Sequence, residues 1–334
     1  MNRSWICNDV WMDILPSFDR PQLGLKMALV SDRFDILVDT HFAGKPTELT
    51  LWNSITISKE DKGPKSRLSV WRIDGKFVEF PPPDHPLHSK IRFKDLRIWY
   101  IDDSVIAFLR SNKQIWDRMG TKLELSIANV QPIWDVLASE IWPVFAPNIR
   151  HLSFAGGQHL DNLRRLISPT LLTDLNHLNS IGSGYLFPNA IADDGPNASA
   201  GQVLSKWLHT PRKNGQPKRL FCRYPPNLEW VNNLKEAFPR ANSSASYIIR
   251  FEHLITVPIE QFELVNERSK EKLTLMKEKD AFHSLLKRCP IGETLQWENH
   301  ENSDANLNKV KFVLWRGKCF GPFSPQMEEK RKSG

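Results

Sequence analysis

The chain has 334 residues, 40% hydrophobic and 25% charged, a globular composition that allows a large core and leaves no long low-complexity tract. Its net charge of +7 comes from 45 basic against 38 acidic residues; the densest basic runs, Arg212-Lys213 to Lys218-Arg219 and Lys330-Arg331-Lys332, accompany no nucleic-acid-binding module, so the charge reads as solubility with a bias toward acidic partners, and no nucleic-acid partner is expected. Four cysteines at 7, 222, 289 and 319 contain no close pair, Met1 to Trp5 lack the apolar core of a signal peptide, and no segment approaches the roughly 20 apolar residues of a membrane span, so the expectation is reduced thiols, no membrane partner and a cytoplasmic or nuclear location.

The first forty residues read as short helices. Asn8 or Asp9 is placed to cap a first helix in which Val10, Ile14 and Leu15 share a face. Pro16 and the Asp19-Arg20-Pro21 run end it and open a second segment with Leu25, Leu29 and Val30 as its apolar face. Ser31 or Asp32 begins a third helix carrying Phe34, Leu37 and Val38. So short a piece buries too little to stand alone and needs a partner, either another protein or the domain that follows.

Ile6, Asp9-Val10, Ile14-Leu15, Leu29-Val30-Ser31 and Phe34 together resemble an F-box, the helical module that docks a substrate receptor onto a cullin-RING ubiquitin ligase. Two departures stand out: Cys7 occupies the place of the usual Pro, and one extra residue separates Leu23 from Leu29-Val30. The resemblance implies a Skp-type adaptor and, through it, cullin as partners. The implied adaptor-binding residues are Ile6, Val10, Ile14, Leu15, Leu23, Leu29, Val30 and Phe34.

After a β-rich connecting segment at 44–92, residues 93–255 alternate strand-like runs with amphipathic helices. The leading apolar residues of the runs are Leu96, Leu123, Leu152, Leu178, Leu220 and Ile248, at steps of 27, 29, 26, 42 and 28 residues. That spacing fits a leucine-rich-repeat-like solenoid, with strands stacked in one mainly parallel sheet. No unit carries the Asn of the standard repeat ladder, so a non-repetitive α/β domain stands as the alternative. The 42-residue step holds the turn-rich Ala192 to Asn197 insertion. Asp102 or Asp103 caps the first intervening helix; the others carry Ile133 to Phe145, Leu160 to Leu171, and Val203 to Leu208.

Hairpins flank this region. Arg67 to Phe80 alternates around Asp74-Gly75, and Gln261 to Lys277 alternates around Asn266 to Lys270. Residues 256–323 are expected to form a hairpin and helix cap, and 324–334 a polar tail. Phe262 to Leu275, Lys206 to Arg212 and Ile101 to Ile106 are similar to segments of the large roundworm F-box families, a likeness that spans most of the chain and names no target.

Motifs for catalysis are sparse, and no cofactor or enzymatic activity is expected. Gly182-Ser183-Gly184 lacks the flanking pattern of a serine nucleophile and reads as a glycine-rich strand end. His85 and His88 lie in a proline-rich loop with no third metal ligand, and Asp193-Asp194 precede Gly195-Pro196 as turn formers. Recognition of a target protein is therefore expected on the sheet surface, at Trp99, Tyr100, Glu124, Ser126, Ser153 and Arg250, with one of Trp99 and Tyr100 in the core and the other on the surface. The expected fold is mixed α and β: a three-helix F-box at 1–43, then the repeat-like α/β region with its hairpins. The alternative function is a protein-interaction scaffold that works without the ligase.

Overall fold

The structure is a computed structural model that describes residues 6–18, 23–28, 30–43, 52–61, 63–71, 77–83, 86–87, 93–116, 120–223, 228–253, 259–278 and 282–292. Asp74-Gly75, His85, His88, Leu29 and the expected polar tail lie outside them. The described residues up to Pro290 form one compact unit.

At the N-terminus, helix α1 (Asn8–Ile14), a 3-10 turn (Leu15–Ser17), a π-turn (Leu23–Met27) and helix α2 (Asp32–Ala43) pack around a core of their own. Leu15, Leu23, Ala28, Leu37, Val38 and Phe42 are buried in it, with Trp11, Met12, Phe18, Met27 and Phe34 packed against them. Leu37, Val38, His41 and Phe42 are the buried residues of α2, an i, i+1, i+4, i+5 stripe that the helical period dictates. The Ser31 hydroxyl accepts from the Phe34 amide at 3.4 Å, so the cap at the start of α2 falls where the sequence places it.

The rest of the described chain builds one twelve-stranded sheet. Its strands are β1 (Trp52–Lys59), β2 (Ser66–Trp71), β3 (Phe77–Phe80), β4 (Phe93–Ile98), β5 (Thr121–Leu125), β6 (Ile149–Phe154), β7 (Ser180–Ser183), β8 (Lys218–Arg223), β9 (Tyr247–Glu252), β10 (Phe262–Asn266), β11 (Glu271–Lys277) and β12 (His283–Pro290). The order is β10-β11-β12-β9-β8-β7-β6-β5-β4-β1-β2-β3. From β1 through β4 to β9 every neighbouring pair is parallel, and both flanks are antiparallel. The strands of Leu96, Leu123, Leu152, Leu220 and Ile248 thus share one sheet as expected, with β7 between those of Leu152 and Leu220.

Register explains the core. Ile55, Leu96, Leu123, Leu152, Ile181, Leu220, Ile249 and Leu286 stand side by side across eight strands, all 2% exposed or less. Helices α3 (Asp103–Ser111), α4 (Gln131–Val136), α5 (Gly157–Leu166), α6 (Ala200–His209) and α7 (Glu229–Ala237) bury Val105, Phe108, Leu109, Trp134, Leu160, Leu163, Val203, Leu204, Trp207, Trp230 and Leu234 in the same core. Strands β5 and β8 alternate buried with half-buried residues throughout. Sequential parallel strands joined by right-handed crossovers put their helices on one face, which accounts for that alternation. The other, polar face is half-buried along these strands and closes toward β1 and β2, where Ser54, Thr56 and Ser69 are buried.

Charged side chains, half-buried or buried, fasten the irregular parts. Asp102 caps α3, accepting from the Val105 amide at 3.0 Å, and also accepts from Ser66 at the head of β2. Arg164, only 6% exposed, donates to Pro169 O at 3.0 Å, Ala198 O at 2.6 Å and Gly195 O at 2.8 Å, which holds the insertion of the 42-residue step against α5. Arg288 and Glu271 form a buried ion pair at 2.7 Å, and Glu271 also accepts from the Ala245 amide.

Three expectations change. Strand β1 joins β4 in parallel, so the sheet runs through the boundary drawn at 92/93. It also runs through the boundary at 255/256, because β12 pairs with both β9 and β11. Residues 283–290 are therefore a strand, where a helix cap was expected after the hairpin; Leu285, Leu286, Arg288 and Cys289 are all buried, so both faces of this strand are covered.

Candidate recognition surfaces

The helical unit offers the first surface. Helix α1 starts at Asn8 with Cys7 at the N-cap and no side-chain cap bond, so neither Asn8 nor Asp9 caps it. Asn8 instead accepts two bonds from Arg33 on α2, at 3.0 and 2.7 Å, and Arg33 also donates to Ile6 O at 2.5 Å. A single guanidinium thus ties the start of α1 to α2, and its planar fork suits that double contact. Trp11 and Phe34 meet edge to face, ring centroids 4.8 Å apart.

The eight expected contact residues divide sharply. Leu15 and Leu23 are 0% and 1% exposed and belong to the unit's own core, so they hold the unit together and do not present a surface. Ile14 and Phe34 are half-buried. Ile6, Val10 and Val30 are 45%, 47% and 64% exposed. Leu29 falls outside the described residues. Ile36, 65% exposed on α2, went unnoticed in the sequence. Its signal was available: it is an apolar residue off the stripe of Leu37, Val38, His41 and Phe42.

The polar face of the sheet is the second surface. One cross-strand row reads Thr56, Arg97, Glu124, Ser153, Gly182, Phe221, Arg250 and Leu285; the next reads Ser54, Asp95, Lys122, His151, Ser180, Arg219, Ile248 and Lys287. Glu124, Ser153 and Arg250 of the expected target-binding set therefore share one row. Ser126 lies just past the end of β5, exposed, its amide donating to Ile98 O. Trp99 and Tyr100 lie past the end of β4 and are both half-buried, so neither is the core residue that strict alternation required. The Tyr100 hydroxyl donates to Pro64 O at 2.6 Å, a bond across to the turn before β2.

Charges on this face are paired across strands. Arg97 and Glu124 approach to 3.4 Å, Lys122 and Asp95 to 3.6 Å, and Arg250 grips Glu278 with both Nε and Nη2, at 2.8 and 2.7 Å. Phe221 lies under the guanidinium groups of Arg223 and Arg250, 5.7 and 5.9 Å from its centroid. Sequence reasoning missed Phe221, although a large aromatic in the polar phase of Leu220-Phe221-Cys222-Arg223 marks it. Beside it Gly182 leaves room for Ser153: a Cβ there would lie 2.7 Å from Ser153 Oγ and 3.2 Å from its Cβ, so a larger residue would force Ser153 to shift.

His151 and Ser180 hydrogen-bond at 2.9 Å between Nδ1 and Oγ. Burial, with Lys122 beside it, pushes the imidazole down to about 3, which makes it a poor base at neutral pH. Ser183 is buried and its hydroxyl accepts from the Leu186 amide at 3.0 Å; Asp193 accepts from the Gly195 amide at 3.0 Å, and Asp194 from the Thr173 hydroxyl. Among the described residues no group of three His, Cys, Asp or Glu is arranged to hold a metal.

The chain matches no family model, no curated protein and no solved structure. Among the described residues, no helix is long and apolar enough to cross a membrane.

Proposed function

We propose that this chain is an F-box substrate receptor of a cullin-RING ubiquitin ligase. It docks to a Skp-type adaptor through residues 6–43 and holds a target protein against the polar face of the sheet. One observation carries the reading: Ile6, Val10 and Val30, three residues of the F-box-like pattern, are exposed on a helical unit that has its own core. Large apolar side chains gathered on a small unit favour a protein interface. The parallel region is, on this proposal, a leucine-rich-repeat-like solenoid. The aliphatic row from Ile55 to Leu286 and the one-sided helices support that reading, as does the roundworm-type likeness of Ile101 to Ile106, Lys206 to Arg212 and Phe262 to Leu275.

The test is co-purification of the full chain with adaptor and cullin. Val10→Glu combined with Val30→Glu places charges on two exposed sites without touching the core, and should weaken adaptor binding about 100-fold or more, since each buried charge is costly. Adaptor binding by the folded double variant equal to that of the native chain would refute the docking face. The second reading, a scaffold that works without the ligase, is favoured by the burial of Leu15 and Leu23, which removes two expected contacts from the surface. A native chain that folds and binds no adaptor would leave the scaffold.

A further inference from the structure

The sheet is open, and its two edges differ. Strand β3 ends at Phe80 and runs straight into Pro81-Pro82-Pro83, whose missing amides cannot extend a ladder. Strand β10 carries no such guard. It pairs with β11 from Phe262 to Asn266 without a bulge, holds neither proline nor lysine, and among the described residues has no second neighbour. Alternate amides and carbonyls of β10 therefore point away from the sheet, a row of groups that each need a partner.

The side chains at this edge are also incompletely covered. Phe262 and Leu264 pack against the main core yet stay half-buried. Val265, on the opposite face of the strand, is 51% exposed. A further strand laid along β10 would cover all three and pair the open backbone. The order of the residues favours a second copy of β10 itself. Around Leu264 the segment from Glu260 to Arg268 complements itself when two copies run antiparallel about a two-fold axis. Leu264 then meets its twin, Glu263 meets Val265, and Phe262 meets Asn266. Just past the strand ends the exposed Glu260 comes level with the exposed Arg268, so opposite charges meet at both ends and like charges stand opposite nowhere. Leu273 of β11, fully buried, lies beside Leu264, so its apolar row would continue unbroken into the twin.

We propose that two copies of this chain join antiparallel through β10, centred on Leu264, into one continuous sheet. The inference does not depend on the adaptor reading. The experiment is sedimentation of the full chain across a concentration series, with three variants on β10. The native chain should show a saturable equilibrium between monomer and dimer. Val265→Glu sets carboxylates opposite each other at both symmetric positions and should weaken the dimer roughly tenfold or more. Val265→Lys faces Glu263 instead and should hold the dimer at least as tightly as the native chain. Glu263→Lys combined with Val265→Glu restores opposite charges and should recover the dimer that Val265→Glu alone loses. Glu263 and Val265 are exposed, so each variant should melt with the native chain at concentrations where all are monomeric. A native chain that stays monomeric throughout, a Val265→Glu dimer as tight as the native one, loss of the dimer in Val265→Lys, or no recovery in the double variant would each overturn the proposal.

Discussion

The helical unit and the sheet region solve the same folding problem on different scales. The sheet buries an aliphatic row across eight strands under helices, and its polar face answers charge with charge. The helical unit closes on six buried apolar side chains and leaves Ile6, Val10, Val30 and Ile36 outside. The larger region has surplus burial and displays polar side chains. The smaller one has little burial and displays apolar side chains, as a module would if a partner completed it.

Substitution of equally buried leucines in the two regions should separate them. Leu152→Ala, at 0% exposure in the middle of the aliphatic row, should cost about 2–5 kcal/mol and lower the main urea transition. Leu15→Ala, also at 0% exposure, should leave that transition in place and speed hydrogen exchange only across α1 and α2. If Leu15→Ala lowered the main transition as far as Leu152→Ala does, the two regions would be one cooperative unit and the comparison would fail.

Leu96, Leu123, Leu152 and Leu220 were legible because parallel strands separated by helices repeat their phase along the chain. The hairpin of β10 and β11 was legible because its turn is local. The parallel partnership of β1 with β4 was not, since no turn signal announces a pairing 41 residues apart, as between Ser54 and Asp95. Strand β12 was hidden for a similar reason: it joins β9 and β11 through contacts that its own alternation does not specify. The surfaces were half legible. Glu124, Ser153 and Arg250 fall in one row because alternation put them in the same phase, whereas Trp99 and Tyr100 escaped the rule by lying past the strand end. Leu15 and Leu23 fit the motif and still turned inward, because a module this small needs its leucines for its core.

A smaller effect tests whether the polar face belongs to the folded sheet as firmly as the core does. His151 has a folded pKa of about 3 against 6.5 for the free side chain. Below pH 6.5 the unfolded chain takes up a proton that the folded site refuses, so stability falls as pH drops from 6.5 toward 3. The slope reaches about 1.4 kcal/mol per pH unit for this one group. His159 and His209 shift in the same direction through burial, so the contribution of His151 is the difference between the native chain and His151→Asn. That variant should show a shallower acid slope in urea titrations at pH 4 to 6.5, and an unchanged slope would mean that His151 is solvated.

Hydrogen exchange of the full chain, with and without a Skp-type adaptor, bears most directly on the account. Residues 6–43 should gain protection when the adaptor is added, strongest in α1 and α2, while β4 to β9 exchange as before. Unchanged exchange in 6–43 at saturating adaptor, or protection that falls on the sheet alone, would contradict the docking role assigned to the helical unit.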